Sequence, residues 1–257
     1  MNRPIRLVTS TISPGGGGGI ARMDTFYHRF LNRDRFDPLF VIARAKNEAE
    51  IPYDPTLDYH YTGDFDRFAK LVALFSDADI VQFMGGFDPV SAEAARVANV
   101  PVIVELMHMV EPGQLYPYID TTLCVSRTAQ RAQPDPARTV VVHNGIDVEQ
   151  FGYREERDRS RIVILEASRR EKPKHFHLDQ LAADLLALDP RVELWLAGNG
   201  QTGESTDRVK FLGPRADIAD LYRQADLLFL MSVVEPFGLV ALEGMAGGAL
   251  PVVADDG

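Results

Sequence analysis

The chain has 257 residues and a formal net charge of −10, and 46% of its residues are hydrophobic. This length and composition allow one or two globular domains with a sizeable core and exclude a disordered chain. The acidic balance provides no overall field that would attract nucleic acid or an anionic membrane. An anionic ligand would therefore need a local cluster of cations.

The cysteine content and the N-terminal sequence indicate a cellular compartment. Cys124 is the single cysteine, so no disulfide can form within the chain, as expected in a reducing environment. The first apolar segment is short and is interrupted by Arg6, which predicts a core strand rather than a signal peptide. No segment has the roughly 20 apolar residues that a transmembrane helix requires. We therefore expect a cytoplasmic protein.

The N-terminal stretch predicts a strand, a glycine-rich loop and a helix. Residues 5–10 form a β-like run, residues 13–19 have the sequence SPGGGGG, and a helical pattern covers residues 20–31. This order is typical of the opening of a nucleotide-binding fold. The run of glycines satisfies many patterns, and no Gly-Lys-Ser/Thr follows as a Walker A loop requires. A flexible turn is therefore an open alternative.

Short apolar runs alternate with helical patterns as far as residue 142. The predicted strands are 38–43, 80–84, 100–105, 121–125 and 139–142, and the predicted helices are 64–75, 89–98 and 126–133. Such alternation indicates a parallel sheet that is covered by helices on both faces. Binding loops are then expected at the carboxyl ends of the strands.

Two positions in this half could take part in chemistry. His108 follows a predicted strand and could face a ligand, although a loop histidine whose ring is satisfied by a neighbour is the alternative. Asp64 and Asp66 have the spacing of a metal-binding D-x-D pair. Because Gly63 and a helical run flank them, a helix N-terminus is the better interpretation. We expect no metal site.

A change of composition divides the chain. Asn144 and Gly145 form a turn signal. Residues 149–161 are polar, mixed in charge and poor in apolar residues, which is typical of a linker. The predicted domains are therefore residues 1–148 and 149–257.

A basic cluster follows the first predicted strand of the second half, residues 162–167. Arg169, Lys172 and Lys174 belong to this cluster, which precedes a predicted helix at residues 176–188. Arginine can hold phosphate oxygens bidentately, and lysine can supply a point charge. A solvated loop is the alternative. In a chain with a net charge of −10, however, the local concentration of cations favours an anion site.

The segment 235–257 has the sequence EPFGLVALEGMAGGALPVVADDG. Pro236 suits the first turn of a helix. The backbone N–H groups of Phe237, Gly238 and Leu239 would then point toward an anion at the positive end of the helix dipole. A plain amphipathic helix, with apolar residues such as Met245 facing a core, is the alternative.

Glu235 and Glu243 in this segment resemble the E-x7-E signature of retaining GT-B glycosyltransferases, the glycogen-synthase and bacterial mannosyltransferase group of the family 4-like type. Other parts of the chain resemble this family in the same order: HNGIDVEQF, the loop at 194–201, and the elements at 209–213 and 225–232. The resemblance implies an α/β fold of two Rossmann-like domains with parallel sheets facing across a cleft. The acceptor would bind domain 1–148, and the nucleotide sugar would bind domain 149–257.

The resemblance also implies roles for residues of the second domain. Glu235 would contact the donor sugar, and Glu243 would contact the nucleotide ribose. The amides of Phe237, Gly238 and Leu239 would meet sugar and phosphate. The diphosphate would be bound by residues matching the family's G-R-x4-K-G motif, namely Arg169 and Lys174, with Lys172 close enough to compete.

In the first domain, the resemblance implies two further contacts with the donor. His108 matches a histidine that lies near the donor sugar. Gly18, Gly19 and Arg22 match a glycine loop that meets the donor phosphates across the cleft. These residues would complete the catalytic site.

The implied function is retaining transfer of a sugar from a nucleotide-diphosphate sugar to an acceptor hydroxyl, without a metal ion or any separate cofactor. A non-catalytic subunit that binds a nucleotide, a sugar or a partner is the alternative, and a GT-B epimerase is a further one. The family continues beyond Gly257 with further helices. We therefore expect a second copy or a partner chain to cover the C-terminal end.

Overall fold

The computed structural model describes residues 3–11, 19–44, 46, 58–84, 88–108, 110, 117–154, 156, 158–168, 178–200 and 202–255. The chain divides into two compact units between Asn144 and Gly145. Each unit is built on a parallel sheet, so the predicted α/β class with parallel sheets is confirmed. No helix within these residues is long and apolar enough to cross a bilayer.

The first unit contains a seven-stranded sheet of order β3-β2-β1-β4-β5-β6-β7 within the described residues. Its elements are β1 (Ile5–Thr11), α1 (Gly19–Phe30), β2 (Phe36–Ile42), β3 (Tyr59–Tyr61), α2 (Arg67–Phe75), β4 (Ile80–Met84), α3 (Pro89–Val97), β5 (Val102–Met107), β6 (Thr121–Cys124), α4 (Arg127–Arg131) and β7 (Thr139–Val141). A short 3-10 turn lies at Pro136–Arg138, and another, at Val148–Gln150, belongs to the second unit.

Helices α2 and α3 pack on one face of this sheet. Val8 and Val81 of the strands lie in one buried cluster with Phe75 of α2 and Ala92 of α3. Helix α3 begins where Asp88 accepts hydrogen bonds from the amides at positions 90 and 91, which satisfies donors that the first helical turn leaves without partners. The small side chains of α3 allow it to lie close to α2.

The second unit contains a five-stranded sheet of order β10-β9-β8-β11-β12 within the described residues. Its elements are β8 (Ile162–Ala167), α5 (Leu178–Leu188), β9 (Val192–Ala197), β10 (Val209–Gly213), α6 (Ile218–Gln224), β11 (Leu227–Leu230), α7 (Leu239–Gly247) and β12 (Leu250–Val253). The order reverses between β8 and β11, and ligands of open parallel sheets bind beyond the carboxyl ends of strands at such a point.

Part of the polar segment at 149–161 packs against the second unit. Phe151 is 5% exposed and lies in the same buried cluster as Tyr222, and their ring centroids are 5.8 Å apart. Arg223 Nη1 donates to the Phe151 carbonyl at 2.7 Å, and Ile146 packs on the same cluster. The segment that follows Asn144 therefore belongs structurally to the second unit.

The two edges of the second sheet differ. At β10, Phe211 N donates to Ser205 Oγ at 3.1 Å, and Val209 N donates to Thr206 Oγ1 at 3.0 Å, so this edge is partly closed by its own preceding loop. At β12, Leu250 is 64% exposed and Val253 is 54% exposed. An exposed apolar edge strand is a surface on which another chain can pair.

Two short elements were not predicted, and one helix starts later than predicted. β3 has three residues and α6 has seven, so neither shows a long periodic pattern. Helix α2 begins at Arg67, because Asp66 has a left-handed backbone conformation with a φ of 53°. Asp66 is the N-cap residue of α2, in agreement with the helix N-terminus predicted for this acidic pair, but its side chain makes no capping hydrogen bond.

Candidate functional site

The turn between β11 and α7 contains Glu235. Pro236 was predicted in the first turn of a helix, and this is wrong: α7 begins at Leu239, with Gly238 as its N-cap residue. Gly238 has a φ of 82°, a left-handed conformation that glycine adopts without steric cost and that interrupts the helix. Proline also disfavours a helical conformation at the residue before it. Glu235 therefore lies in a turn that leads into the helix.

The carboxylate of Glu235 accepts a hydrogen bond on each oxygen. Gly238 N donates to Oε1 at 3.0 Å, and Ser232 Oγ donates to Oε2 at 3.0 Å. The sequence predicts that the Gly238 amide faces an anionic ligand. In the structure this amide donates to the carboxylate of Glu235. Glu235 itself is half-buried, so part of it faces solvent.

A side chain at position 238 would disturb this turn. A Cβ atom there would lie 3.2 Å from Leu230 Cδ2 and 3.6 Å from Glu235 Cγ, at a φ that side chains rarely adopt. The local geometry therefore requires a glycine at this position. Phe237 and Leu239 are half-buried on either side of it.

Glu243 is directed into the interior of the second unit. It is 1% exposed, and its Oε2 accepts a hydrogen bond from Tyr222 Oη at 2.8 Å. Tyr222 lies on α6 and is also 1% exposed. Sequence analysis did not single out Tyr222, because the pairing depends on how α6 and α7 pack together.

Two glycines allow this close packing of α7. A Cβ atom at Gly244 would lie 2.4 Å from Leu228 Cδ2, and a Cβ atom at Gly247 would lie 2.7 Å from Tyr222 Cβ. Glycines three positions apart within a helix are a signal that the sequence analysis did not use. Met245, predicted to face a core in the plain-helix alternative, is 54% exposed, so that part of the alternative is wrong.

His108 lies directly after β5 and is buried. Its Nε2 has no hydrogen-bond partner among the described residues, so the alternative of a ring satisfied by a neighbour does not hold for this nitrogen. Burial lowers the pKa of His108 to about 4. The imidazole is therefore neutral near pH 7, and Nε2 can exchange a hydrogen bond with a ligand oxygen.

Of the remaining residues that were predicted to bind the donor, some lie within the described residues and others lie outside them. Gly19 is the first residue of α1, and Arg22 is half-buried one turn later. Four predicted phosphate contacts lie outside the described residues: Gly18, Arg169, Lys172 and Lys174.

Strand β8, which precedes the basic cluster in the sequence, contains a buried glutamate near its carboxyl end. Glu166 of β8 is 3% exposed, and Ser168 Oγ donates to its Oε1 at 2.8 Å. This serine occupies the position of a glycine in the family motif. No group of three or more histidine, cysteine, aspartate or glutamate side chains that could hold a metal ion occurs within the described part of the chain.

The second unit matches a known protein family in sequence. Residues 160–257 match the family described as "Glycosyl transferases group 1". The D-inositol 3-phosphate glycosyltransferase of Mycolicibacterium vanbaalenii is 34% identical over an alignment of 154 residues, and the match covers 48% of this chain and 34% of that protein. The enzyme of the same description from Salinispora tropica is 32% identical over an alignment of 161 residues, and the match covers 48% of this chain and 33% of that protein. The chain spans about a third of the length of these relatives.

Solved structures match almost the whole chain at low identity. Anabaena Alr3699/HepE, solved in complex with UDP, has a TM-score of 0.73 and 21% identity over 98% of this chain and 81% of that one. A glycosyltransferase from Rickettsia africae has a TM-score of 0.73 and 15% identity over 100% of this chain and 80% of that one. The two parallel sheets thus have the fold of GT-B glycosyltransferases, as predicted. The second unit thus matches the group 1 glycosyltransferases in sequence, and both units match GT-B glycosyltransferases in fold.

Proposed function

We propose that the chain transfers a sugar from a nucleotide-diphosphate sugar to an acceptor hydroxyl, with retention of the anomeric configuration and without a metal ion. The observation that carries the proposal is the Glu235 carboxylate, held by Ser232 and Gly238 at the start of α7. It lies within the segment that matches the group 1 glycosyltransferases. A fixed, half-buried carboxylate can accept hydrogen bonds from sugar hydroxyls.

The diphosphate would bind between the start of α7 and the residues that follow β8. Helix N-termini favour anions, and Arg169 and Lys174 supply cations next to the end of β8 in the sequence. Glu243, oriented by Tyr222, would accept a ribose hydroxyl. Alr3699/HepE was solved in complex with UDP and in complex with UDP-glucose, which makes UDP-glucose the first donor to test.

In the reaction, the bond between the anomeric carbon and the diphosphate oxygen breaks, and its electron pair stays on the diphosphate. The acceptor oxygen forms a new bond to the same face of that carbon, and its proton passes to the departing phosphate oxygen. Arg169 and Lys174 would stabilise the negative charge that develops on the diphosphate. No step requires a metal ion.

The acceptor is proposed from the curated relatives, which are described as D-inositol 3-phosphate glycosyltransferases. We therefore propose inositol phosphate as the first acceptor to test. A polyol phosphate offers several hydroxyl groups, and its phosphate would have to be bound by local cations because the chain is acidic overall.

The test is a transfer assay with UDP-, GDP- and ADP-sugars, with inositol 3-phosphate as acceptor and sugar hydrolysis as control. We expect a glycosylated product whose anomeric configuration, determined by NMR, equals that of the donor, and activity that persists in excess EDTA. Inversion would refute the retaining mechanism, and loss in EDTA with rescue by Mn²⁺ would refute metal independence. Nucleotide binding without transfer to any acceptor would favour the non-catalytic alternative.

A further inference from the structure

Ser232 is a buried serine just beyond strand β11 of the second sheet. It follows β11 by two positions and is 3% exposed. Strand β11 is paired on both sides, with β8 and with β12. Ser232 is therefore buried just beyond a strand that is paired on both sides, whereas Glu235, to which it donates, is half-buried in the turn.

The hydrogen bond from Ser232 is not needed to cap helix α7. Capping requires that a side-chain oxygen accept from an amide of the first turn, whereas Glu235 Oε1 accepts from Gly238 N, the amide of the N-cap residue itself. Ser232 instead donates to the other oxygen, Oε2. Its effect is to fix the plane of the carboxylate, which Gly238 alone would leave able to rotate.

We propose that Ser232 is a positioning residue that holds the Glu235 carboxylate in one plane, and that it thereby determines which donor sugar is accepted. The proposal rests on the proposed function, in which Glu235 binds the donor sugar. Each carboxylate oxygen has a second acceptor position beyond the one that Ser232 or Gly238 occupies. A carboxylate in a fixed plane matches two neighbouring sugar hydroxyls in only one configuration.

The consequence is discrimination between epimers. Inverting one sugar carbon moves one hydroxyl away from its acceptor oxygen and leaves a polar group of the site without a partner. Sites built on hydrogen bonds discriminate strongly against such analogues. A carboxylate that can rotate adapts to both epimers and loses the discrimination.

The test compares Ser232→Ala with the wild-type chain and with Ser160→Ala. Ser160 is the matched control, because its hydroxyl also donates to a carboxylate of the same unit, Asp158 Oδ1 at 2.6 Å, but at an exposed position. Affinity for UDP, GDP and ADP is measured by calorimetry. Transfer and hydrolysis kinetics are measured with the glucose, galactose and mannose derivatives of the nucleotide that binds best.

For Ser232→Ala we expect nucleotide affinity within about twofold of wild type and a roughly tenfold lower kcat/KM with the preferred sugar, as for loss of one hydrogen bond to a charged group. The ratio of kcat/KM between epimers should move toward one. Ser232→Thr, which keeps the hydroxyl, should restore the ratio, and Ser160→Ala should match the wild type.

An unchanged epimer ratio in a folded Ser232→Ala protein would overturn the proposal while leaving the proposed function intact. An equal loss of nucleotide affinity and turnover would also overturn it, because it would indicate a structural role. If the wild-type chain neither binds a nucleotide nor uses any of these sugars, the proposed function fails and this inference fails with it. If Ser232→Ala does not fold, Glu235→Gln replaces it, and an epimer ratio equal to that of the wild type then refutes the proposal.

Discussion

Tyr222 on α6 donates its hydroxyl hydrogen to Glu243 on α7 at 2.8 Å, and each residue is 1% exposed. Burying a carboxylate costs free energy unless donors compensate for the water it has lost. We therefore expect Tyr222→Phe to lower the free energy of unfolding by about 2 kcal/mol, within the typical cost of removing one partner from a buried hydrogen bond. Urea denaturation measures this directly.

The control for this prediction is Tyr153→Phe. Tyr153 belongs to the same unit and is 71% exposed, so the loss of its hydroxyl should leave stability unchanged. Equal urea midpoints for Tyr222→Phe and the wild type would contradict the stabilising role of the buried pair.

Gly247→Ala should destabilise the second unit. The added Cβ would lie 3.0 Å from the Tyr222 carbonyl carbon and 3.2 Å from Arg223 N, which are backbone atoms that no side-chain rotation can move away. Overpacking of this kind costs roughly 1–3 kcal/mol, and alanine regains at most about 1 kcal/mol through its helix propensity. We expect a net loss of about 1–2 kcal/mol by thermal or urea unfolding.

Gly145→Ala is the matched control, because nothing lies within 4 Å of the Cβ that it would add. A Gly247→Ala protein as stable as Gly145→Ala would mean that α6 and α7 can separate without cost.

Acidification should destabilise the chain through two buried histidines. Burial, with a smaller contribution from Arg33, lowers the pKa of His28 to about 4, and burial lowers the pKa of His108 to about 4. In the unfolded chain both would titrate near pH 6.5. The unfolded chain therefore binds more protons between about pH 6.5 and 4, so stability is highest above this window and falls as the pH falls through it. Each shift corresponds to about 3 kcal/mol.

The measurement is the free energy of unfolding from pH 7.5 to pH 4.5. His28→Gln should make the decline in the free energy of unfolding less steep, because the variant lacks the imidazole ring that takes up a proton on unfolding. In the folded chain the centroid of this ring lies 4.4 Å from that of Phe40. His60→Gln is the control, since the His60 side chain is 44% exposed. A decline in His28→Gln as steep as in the wild type would refute the assignment.

The β12 edge should promote self-association. Leu250 and Val253 expose apolar surface on an edge strand of the described sheet, and burying such surface gains about 25 cal/mol per Å². Light scattering should therefore show an apparent mass that rises with protein concentration. Val253→Lys should suppress the rise, whereas Val97→Lys, at an exposed position on α3, should not. A monomer at all concentrations would contradict this prediction.

The sheets were predictable because their strands are nearly continuous runs of apolar residues. Predicted strands 80–84 and 162–167 have the bounds of β4 and β8, since buried parallel strands need no alternation and end at turn residues. The start of α7 was not predictable from Pro236. The helix starts only at Leu239 because Gly238 has a left-handed conformation and its amide donates to Glu235. Neither feature can be read from the sequence.

The candidate site was predictable only in part, because a spacing identifies residues but not their partners. Glu235 and Glu243 were found from their separation in the sequence. Ser232 and Tyr222, which orient them, were not found, since a hydrogen bond across a turn or between two helices depends on packing. The same holds for Gly244 and Gly247, whose role is defined by the distance to side chains on β11 and α6.

The contacts of Ile146 and Phe151 have a consequence for dissecting the protein. Both side chains pack on the cluster that contains Tyr222, although they lie in or before the polar segment in which the sequence predicts a linker. A recombinant fragment that began at Glu149 would remove one of these contacts and place a charged terminus two residues from the other. The second unit should therefore be expressed from Gly145 onward. A protease that cleaves around Arg159 would leave Ile146 and Phe151 on the fragment that contains the first unit, although both side chains pack on the second.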